Sequence, residues 1–170
     1  MEQHPPPPNA EADSCLQPNG ETMVAFFCLD LKRIAHGASD YCWPRPSGCA
    51  RCGHPKLWGH GFVLMIFVGF TDALRIRRYR CPSCGGIIRL RPTGFFKGHQ
   101  SATATIRTAL STRLDTGGWP PGCVTNRARH WLRALRRHAL AVLGVPALTD
   151  LMAAFDQLLD LGRIPVSRAL

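Results

Sequence analysis

The sequence predicts an α+β fold: a small antiparallel ribbon followed by a three-helix unit, behind a disordered N-terminal tail. Three observations predict it. Two Cys-x-x-Cys-Gly knuckles, at 49–53 and 81–85, bracket runs rich in β-branched and aromatic residues, the composition of strands. After Gly94 the apolar residues recur with helical spacing instead. Residues 1–20 hold five prolines, few apolar side chains and no periodicity, the composition of an unfolded tail. The chain therefore divides into a tail over 1–20, a lead-in segment over 21–46, the ribbon over 47–93 and the helical unit over 99–163.

The lead-in is apolar over 22–35, enough for one short helix or strand but too short to assign to either. Trp43-Pro44-Arg45-Pro46 is stiff and extended, because each proline pushes its predecessor out of the helical region. Strands are expected over 57–68, 74–80 and 87–91. Gly69 and Asp72 suit a turn between the first two, and the second knuckle turns the chain between the last two. Ser101 is placed to cap a first helix, with Ile106, Leu110 and Leu114 on one face and Gly117-Gly118 at its end. Trp119-Pro120-Pro121-Gly122 is a rigid connector. Thr125 is placed to cap a second helix that reaches Leu143 and stops at Gly144 and Pro146. Thr149 is placed to cap a third, with Leu151, Phe155, Leu158 and Leu159 on one face and Gly162 closing it.

The two knuckles carry the chemistry. Each of Cys49-Ala50-Arg51-Cys52 and Cys81-Pro82-Ser83-Cys84 holds two thiols about one metal's width apart at the tip of a tight turn. The glycine after each second cysteine lets the backbone curl around the sulfurs. Four thiolates converging make a tetrahedral site that suits Zn2+, with Zn–S near about 2.3 Å. The 28 residues between Cys52 and Cys81 exceed a finger's spacing but match a long hairpin. Iron can occupy the same four sulfurs. A thioredoxin-like redox pair needs one such motif ahead of a helix in a βαβ setting, which neither knuckle has. Four ligands close the coordination shell, so the expected role is structural. Cys15, Cys28, Cys42 and Cys123 have no partner at ligand spacing, and His54 and His60 read as surface or ribbon-packing residues.

Charge points to the partner. The chain has 21 Lys plus Arg against 11 Asp plus Glu, a formal net charge of +10, and a pI near 9.8. Of the 21 basic residues 18 are Arg, the side chain that contacts phosphate and guanine bidentately, although a codon bias toward Arg gives the same composition. On the expected strand 74–80, Arg75, Arg77 and Tyr79 alternate onto one face, and Arg89 and Arg91 share a face of the next strand. Pairing of the two strands would set an Arg cluster and an aromatic beside the knuckles, a platform for phosphates or an unstacked base. On the second helix Arg129, Arg133, Arg136 and Arg137 make a basic stripe, beside a packing stripe of Trp131, Leu135 and His138. The run from Arg127 to Arg137 holds five Arg and one His with no acid. Such a helix fits the major groove of double-stranded DNA. The connector over 116–124 is too long for a strict helix-turn-helix.

The N-terminus has neither the basic start nor the apolar run of a secretory peptide. The most apolar window, 61–70, is far short of the roughly 20 residues a membrane helix needs. The expectation is a cytoplasmic location, where paired cysteines bind metal more readily than they form disulfides, and no membrane partner.

The stretch over 49–91 resembles the N-terminal zinc ribbons of bacterial transposases, in which Cys-x-x-Cys-Gly and Tyr-Arg-Cys-Pro-x-Cys-Gly, here Tyr79 to Gly85, bracket a β-hairpin. A wider set of segments is similar to a family of short bacterial proteins of unknown function, often described as transposase-related. It comprises Trp43-Pro44, Lys56-Leu57-Trp58-Gly59-His60-Gly61, Phe95-Phe96, the 119–122 connector and Arg163-Ile164-Pro165-Val166-Ser167-Arg168. That likeness spans most of 22–168 and implies zinc at the four cysteines and a tie to mobile DNA. It carries no agreed activity. A transposase needs three acids on an RNase-H-like domain to hold two metal ions. Here Asp115, Asp150, Asp156 and Asp160 fall in expected helices and Glu2, Glu11 and Asp13 in the tail. The expectation is a non-catalytic, zinc-dependent DNA-binding protein, a transposition accessory or transcription regulator with a transposase or other protein partner. The alternative is a zinc-ribbon adaptor that docks a protein on Phe62, Val68, Phe70, Phe95 and Phe96.

Overall fold

The computed structural model describes residues 22–37 and 40–168, so the expected tail over 1–20 lies outside the described residues. The lead-in holds two elements rather than one. Met23–Phe27 is a strand, β1, and Leu31–Ala35 is a short helix, α1. Asp30 separates them by capping α1, its carboxylate accepting from the Arg33 N–H at 3.0 Å. Trp58–Met65 (β2), Leu74–Arg80 (β3) and Ile87–Pro92 (β4) are the three expected ribbon strands, antiparallel in succession. β1 adds to the far side of β4 in parallel, giving one sheet in the order β1-β4-β3-β2. Four lead-in residues past β1, Leu29, Leu31, Ile34 and Trp43, join Leu57, Ile76, Tyr79, Ile88 and Leu90 in the ribbon's core.

The helices are Thr103–Thr116 (α2), Thr125–His138 (α3) and Leu151–Asp160 (α4). α3 runs on through a π-helical turn, Ala139–Leu143, and ends at Gly144 with φ 85°, a conformation an L side chain resists. A second core forms where Ile106 and Leu110 of α2, Trp131 and Leu135 of α3, and Phe155 and Leu158 of α4 meet. Leu114, expected on the buried face of α2, is instead exposed in its last turn. The fold is thus the expected α+β class, with a separate apolar core for each half.

The helix starts differ from those expected. Ser101 is buried and Ala102 holds the N-cap position of α2, with no side-chain cap. Thr125 lies just inside α3, behind Val124. Thr149 donates its hydroxyl to the Pro146 carbonyl at 2.7 Å, leaving Asp150 to cap α4 by accepting from Met152 N and Ala153 N at 3.0 and 2.9 Å. Packing sets the start of α2 and α3, whereas a side chain sets that of α4. Asp150→Ala is therefore expected to cost about 1 kcal/mol in thermal unfolding and Asp150→Asn far less, while Thr125→Ser leaves stability unchanged.

One strap, residues 93–102, joins the halves. The N–H of Thr93 donates to Phe27 O and that of Val68 to Gln100 O, both at 2.8 Å. Its adjacent phenylalanines part company: Phe95 stacks edge-on against Phe67 of the ribbon at 5.0 Å, and Phe96 against Phe155 of α4 at 6.3 Å.

Candidate metal centre and basic surfaces

The two knuckles fold alike. In the first, Cys49 N donates to His54 O at 2.9 Å and Gly53 N to Cys49 O at 2.8 Å. In the second, Cys81 N donates to Gly86 O at 2.9 Å and Gly85 N to Cys81 O at 3.0 Å. Gly53 and Gly85 sit at φ 72° and 68°, so the glycine expected after each pair is there for its backbone. The four sulfurs of Cys49, Cys52, Cys81 and Cys84 all lie within 4.8 Å of one another. Cys49 and Cys84 are 3.6 Å apart and Cys52 and Cys81 3.5 Å. A tetrahedron of sulfurs about 2.3 Å from its centre has edges of about 3.8 Å. The group can hold one metal ion.

The Gly86 N–H lowers the Cys84 thiol's pKa, but burial and hydrogen bonds with Cys49, Cys52 and Cys81 outweigh it and push the pKa up to about 11. Four thiols this close cannot all ionise without a cation among them, so metal entry must displace protons. Of the other cysteines, Cys28 and Cys42 are exposed, Cys123 is partly buried in the helical core, and Cys15 lies outside the described residues. His54 contributes its backbone carbonyl to the first knuckle.

The strand register rearranges the expected Arg cluster. Arg78 lies opposite Arg89 and Tyr79 opposite Ile88. By alternation Arg75, Arg77 and Tyr79 then face the side of Ile88 and Leu90, away from Arg89 and Arg91. The four arginines expected together are on two sides of the sheet. On the first side, Arg75 and Arg77 each lie over the Phe62 ring at 4.9 Å, and Tyr79 is buried with its hydroxyl on Pro44 O at 2.9 Å. On the second side, Arg91 is only 6% exposed, donates to the His99 carbonyl and stands over Phe67. Burial first, then the charge of Arg89, pulls its guanidinium below its ordinary pKa. Arg91 is thus an internal brace of the strap. The arginines that do share the side of Arg89 are Arg78 and Arg80.

The Arg residues of α3 also separate. Arg127, Arg133 and Arg137 line a groove of about 1230 Å³ between α3, the strap and the C-terminal segment. Arg136 lines another hollow, beside Asp115 and Asp150, and Arg129 lines neither. Lys97, His130 and Arg168 complete the groove's basic lining, with Asn126 and Gln100 as its amides and no acid among the described residues. Arg127 donates to Gln100 Oε1 at 3.4 Å, Arg133 contacts His130 Nδ1 at 3.0 Å, and Arg137 donates to Ser167 O and Arg168 O at 3.2 and 2.7 Å. His99, at the groove's edge, is held below its ordinary pKa by burial and then by Arg91 and Arg168, so it adds no charge at neutral pH. Trp131, Leu135 and His138 are buried as expected of the packing stripe. Lys97 and Arg168 lie 30 or more residues from Arg127 or Arg133 in sequence, and only the fold brings them to the groove.

Of the aromatic residues expected to offer an apolar docking surface, Phe62 lies under two arginines, and Phe70, Phe95 and Phe96 pack against the cores. Val68, the other residue of that expected surface, is exposed, and so are Leu64 and Ile66 beside it on edge strand β2 and its continuation.

Fold and site together define a class: an α+β chain with a four-cysteine group able to hold a metal, joined to a basic helical unit. No family model, curated protein or solved structure matches the chain. Among the described residues no helix is long and apolar enough to cross a membrane.

Proposed function

We propose that this chain is a non-catalytic, zinc-dependent protein that binds double-stranded DNA, as an accessory to transposition or a transcription regulator in a reducing, cytoplasmic setting. The observation that carries the reading is the groove beside α3, lined by Lys97, Arg127, Arg133, Arg137 and Arg168 with no acid among the described residues. Positive side chains gathered at that density form a field that favours a polyanion. Zinc fits the four sulfurs because an all-thiolate tetrahedron is its usual structural shell. The non-catalytic reading draws support from the acids: Asp150 caps α4, Asp156 is bonded to Arg107, and Asp115 accepts from Ser111.

Titrating a labelled random duplex with zinc-loaded protein at several salt concentrations tests this. Five phosphate contacts give a slope of log affinity against log salt near about −4.5. Arg127→Ala with Arg133→Ala should weaken binding to every duplex sequence and flatten the slope by about 1.8. A duplex that fails to bind at low salt sinks the reading. A zinc-ribbon adaptor is the competing function, favoured by the run of exposed Leu64, Ile66 and Val68 on the sheet's edge strand and its continuation. Apolar docking there would be nearly indifferent to salt.

A further inference from the structure

The side of the sheet that carries Arg89 is covered at one end. At one end Leu74, Ile76 and Arg91 are buried together with Phe67. The other end is more open and holds Arg78, Arg80 and Arg89, flanked by Trp58 of β2 opposite Arg80, while Phe26 of β1 lies opposite Arg91 at the border of the covered end. Trp58 is 61% exposed and Phe26 46%. Neither ring serves a core, which is unusual for the largest apolar side chains of a sheet whose other face is packed.

The charge on this face is equally unexplained by folding. Arg78 and Arg89 stand directly opposite on neighbouring antiparallel strands, about 5 Å apart at Cα, and Arg80 follows about 7 Å along β3. Like charges so placed repel. A face serving only solubility would set an acid between them, yet the sole acid over residues 41–114 is Asp72, in the turn before β3. The Nε of Arg78 and of Arg89 are both buried without a hydrogen-bond partner. The face thus has cationic donors in excess and flat apolar rings beside them. That pairing matches one ligand chemistry: a phosphodiester backbone whose bases are free to stack. A B-form duplex keeps its bases in its own stack and would leave the rings without a partner.

We infer that the more open end of the sheet seats a single-stranded stretch of nucleic acid, its phosphates on Arg78, Arg80 and Arg89 and a base on Trp58. This rests on the reading of the chain as a nucleic-acid binder and adds a site distinct from the α3 groove. Three phosphate contacts give a salt slope near about −2 for the sheet's share of the binding. DNA and RNA strands share this backbone-and-stacking chemistry, so both serve as probes.

The test uses the full zinc-loaded chain with labelled oligo(dT) and oligo(U) of about 15 nucleotides, and a duplex for comparison. Trp58→Ala should weaken single-strand binding about tenfold while duplex affinity holds, and Trp58→Phe should restore it. Because Trp58 is exposed, its loss does not threaten the fold. Arg78→Ala with Arg89→Ala should flatten the single-strand salt slope by about 1.4, with zinc content retained. Duplex binding with no single-strand binding overturns the inference and leaves the DNA reading standing. Equal loss of duplex and single strand in Trp58→Ala also overturns it. Failure of every probe at low salt overturns both.

Discussion

Cys81→Ser is expected to unfold the ribbon while leaving the helices. Cys81 is fully buried, its sulfur 3.5 Å from that of Cys52, and its backbone closes the second knuckle through Gly86. Losing one of four ligands would open the shell, and a structural zinc, as proposed, would contribute about 10–16 kcal/mol to folding, comparable to a domain's whole margin. The ribbon's core, built on Leu57, Ile76, Ile88 and Leu90, is too small to hold β2, β3 and β4 together without it. Circular dichroism should lose its strand component and keep the helical one, because the helices have their own core. Bound zinc, measured by elemental analysis, should fall to background. Cys28→Ser, at an exposed thiol, should change neither. Native strand signal with full zinc in Cys81→Ser would refute the structural role.

Phe155→Ala should cost about 3–5 kcal/mol, the largest loss open to a single substitution in the helical unit. The ring is completely buried, packs against Phe96 at 6.3 Å and has the Arg107 guanidinium 5.6 Å over its centroid. Removing it opens a cavity under three helices and withdraws the surface against which Arg107 lies while it pairs with Asp156. That pair is exposed, and the Arg107 hydrogen bond holds the Asp156 carboxyl below its ordinary pKa. Its own contribution is small beside that of the cavity. Thermal unfolding followed at the helical signal should move down by more than about 10 °C, with zinc content intact. A shift of only a degree or two would mean the core refills the space.

The metal group, the three ribbon strands and the helical faces were legible because each rests on local spacing. Two thiols at i and i+3 with a glycine behind them need no long-range information, nor do Ile106 and Leu110 or Leu151, Phe155 and Leu158, which the structure buries. What sequence could not supply was pairing. Arg75 and Arg77 alternate with Arg78 and Arg80 along one strand, and which set joins Arg89 depends on a register fixed by β4. Arg91 reads like any strand arginine until His99 and Phe67 are brought over it. The same limit hid β1, whose partner lies more than sixty residues on. Nothing local to Trp58 says that a tryptophan there will stay uncovered.

The strap gives the two phenylalanines at 95 and 96 a significance beyond packing. One is seated in the half that holds the four-cysteine group, the other in the half that carries the α3 groove, and Lys97, His99 and Gln100 on the same short segment form part of that groove's wall. Losing the ribbon therefore frees the anchors at Phe27 O, Val68 N and Arg91 that position this wall, without touching any groove side chain. Under the proposed function, metal and polyanion are expected to be coupled ligands of one molecule, a bound polyanion tightening the hold on the metal by the factor by which the metal tightens the hold on the polyanion.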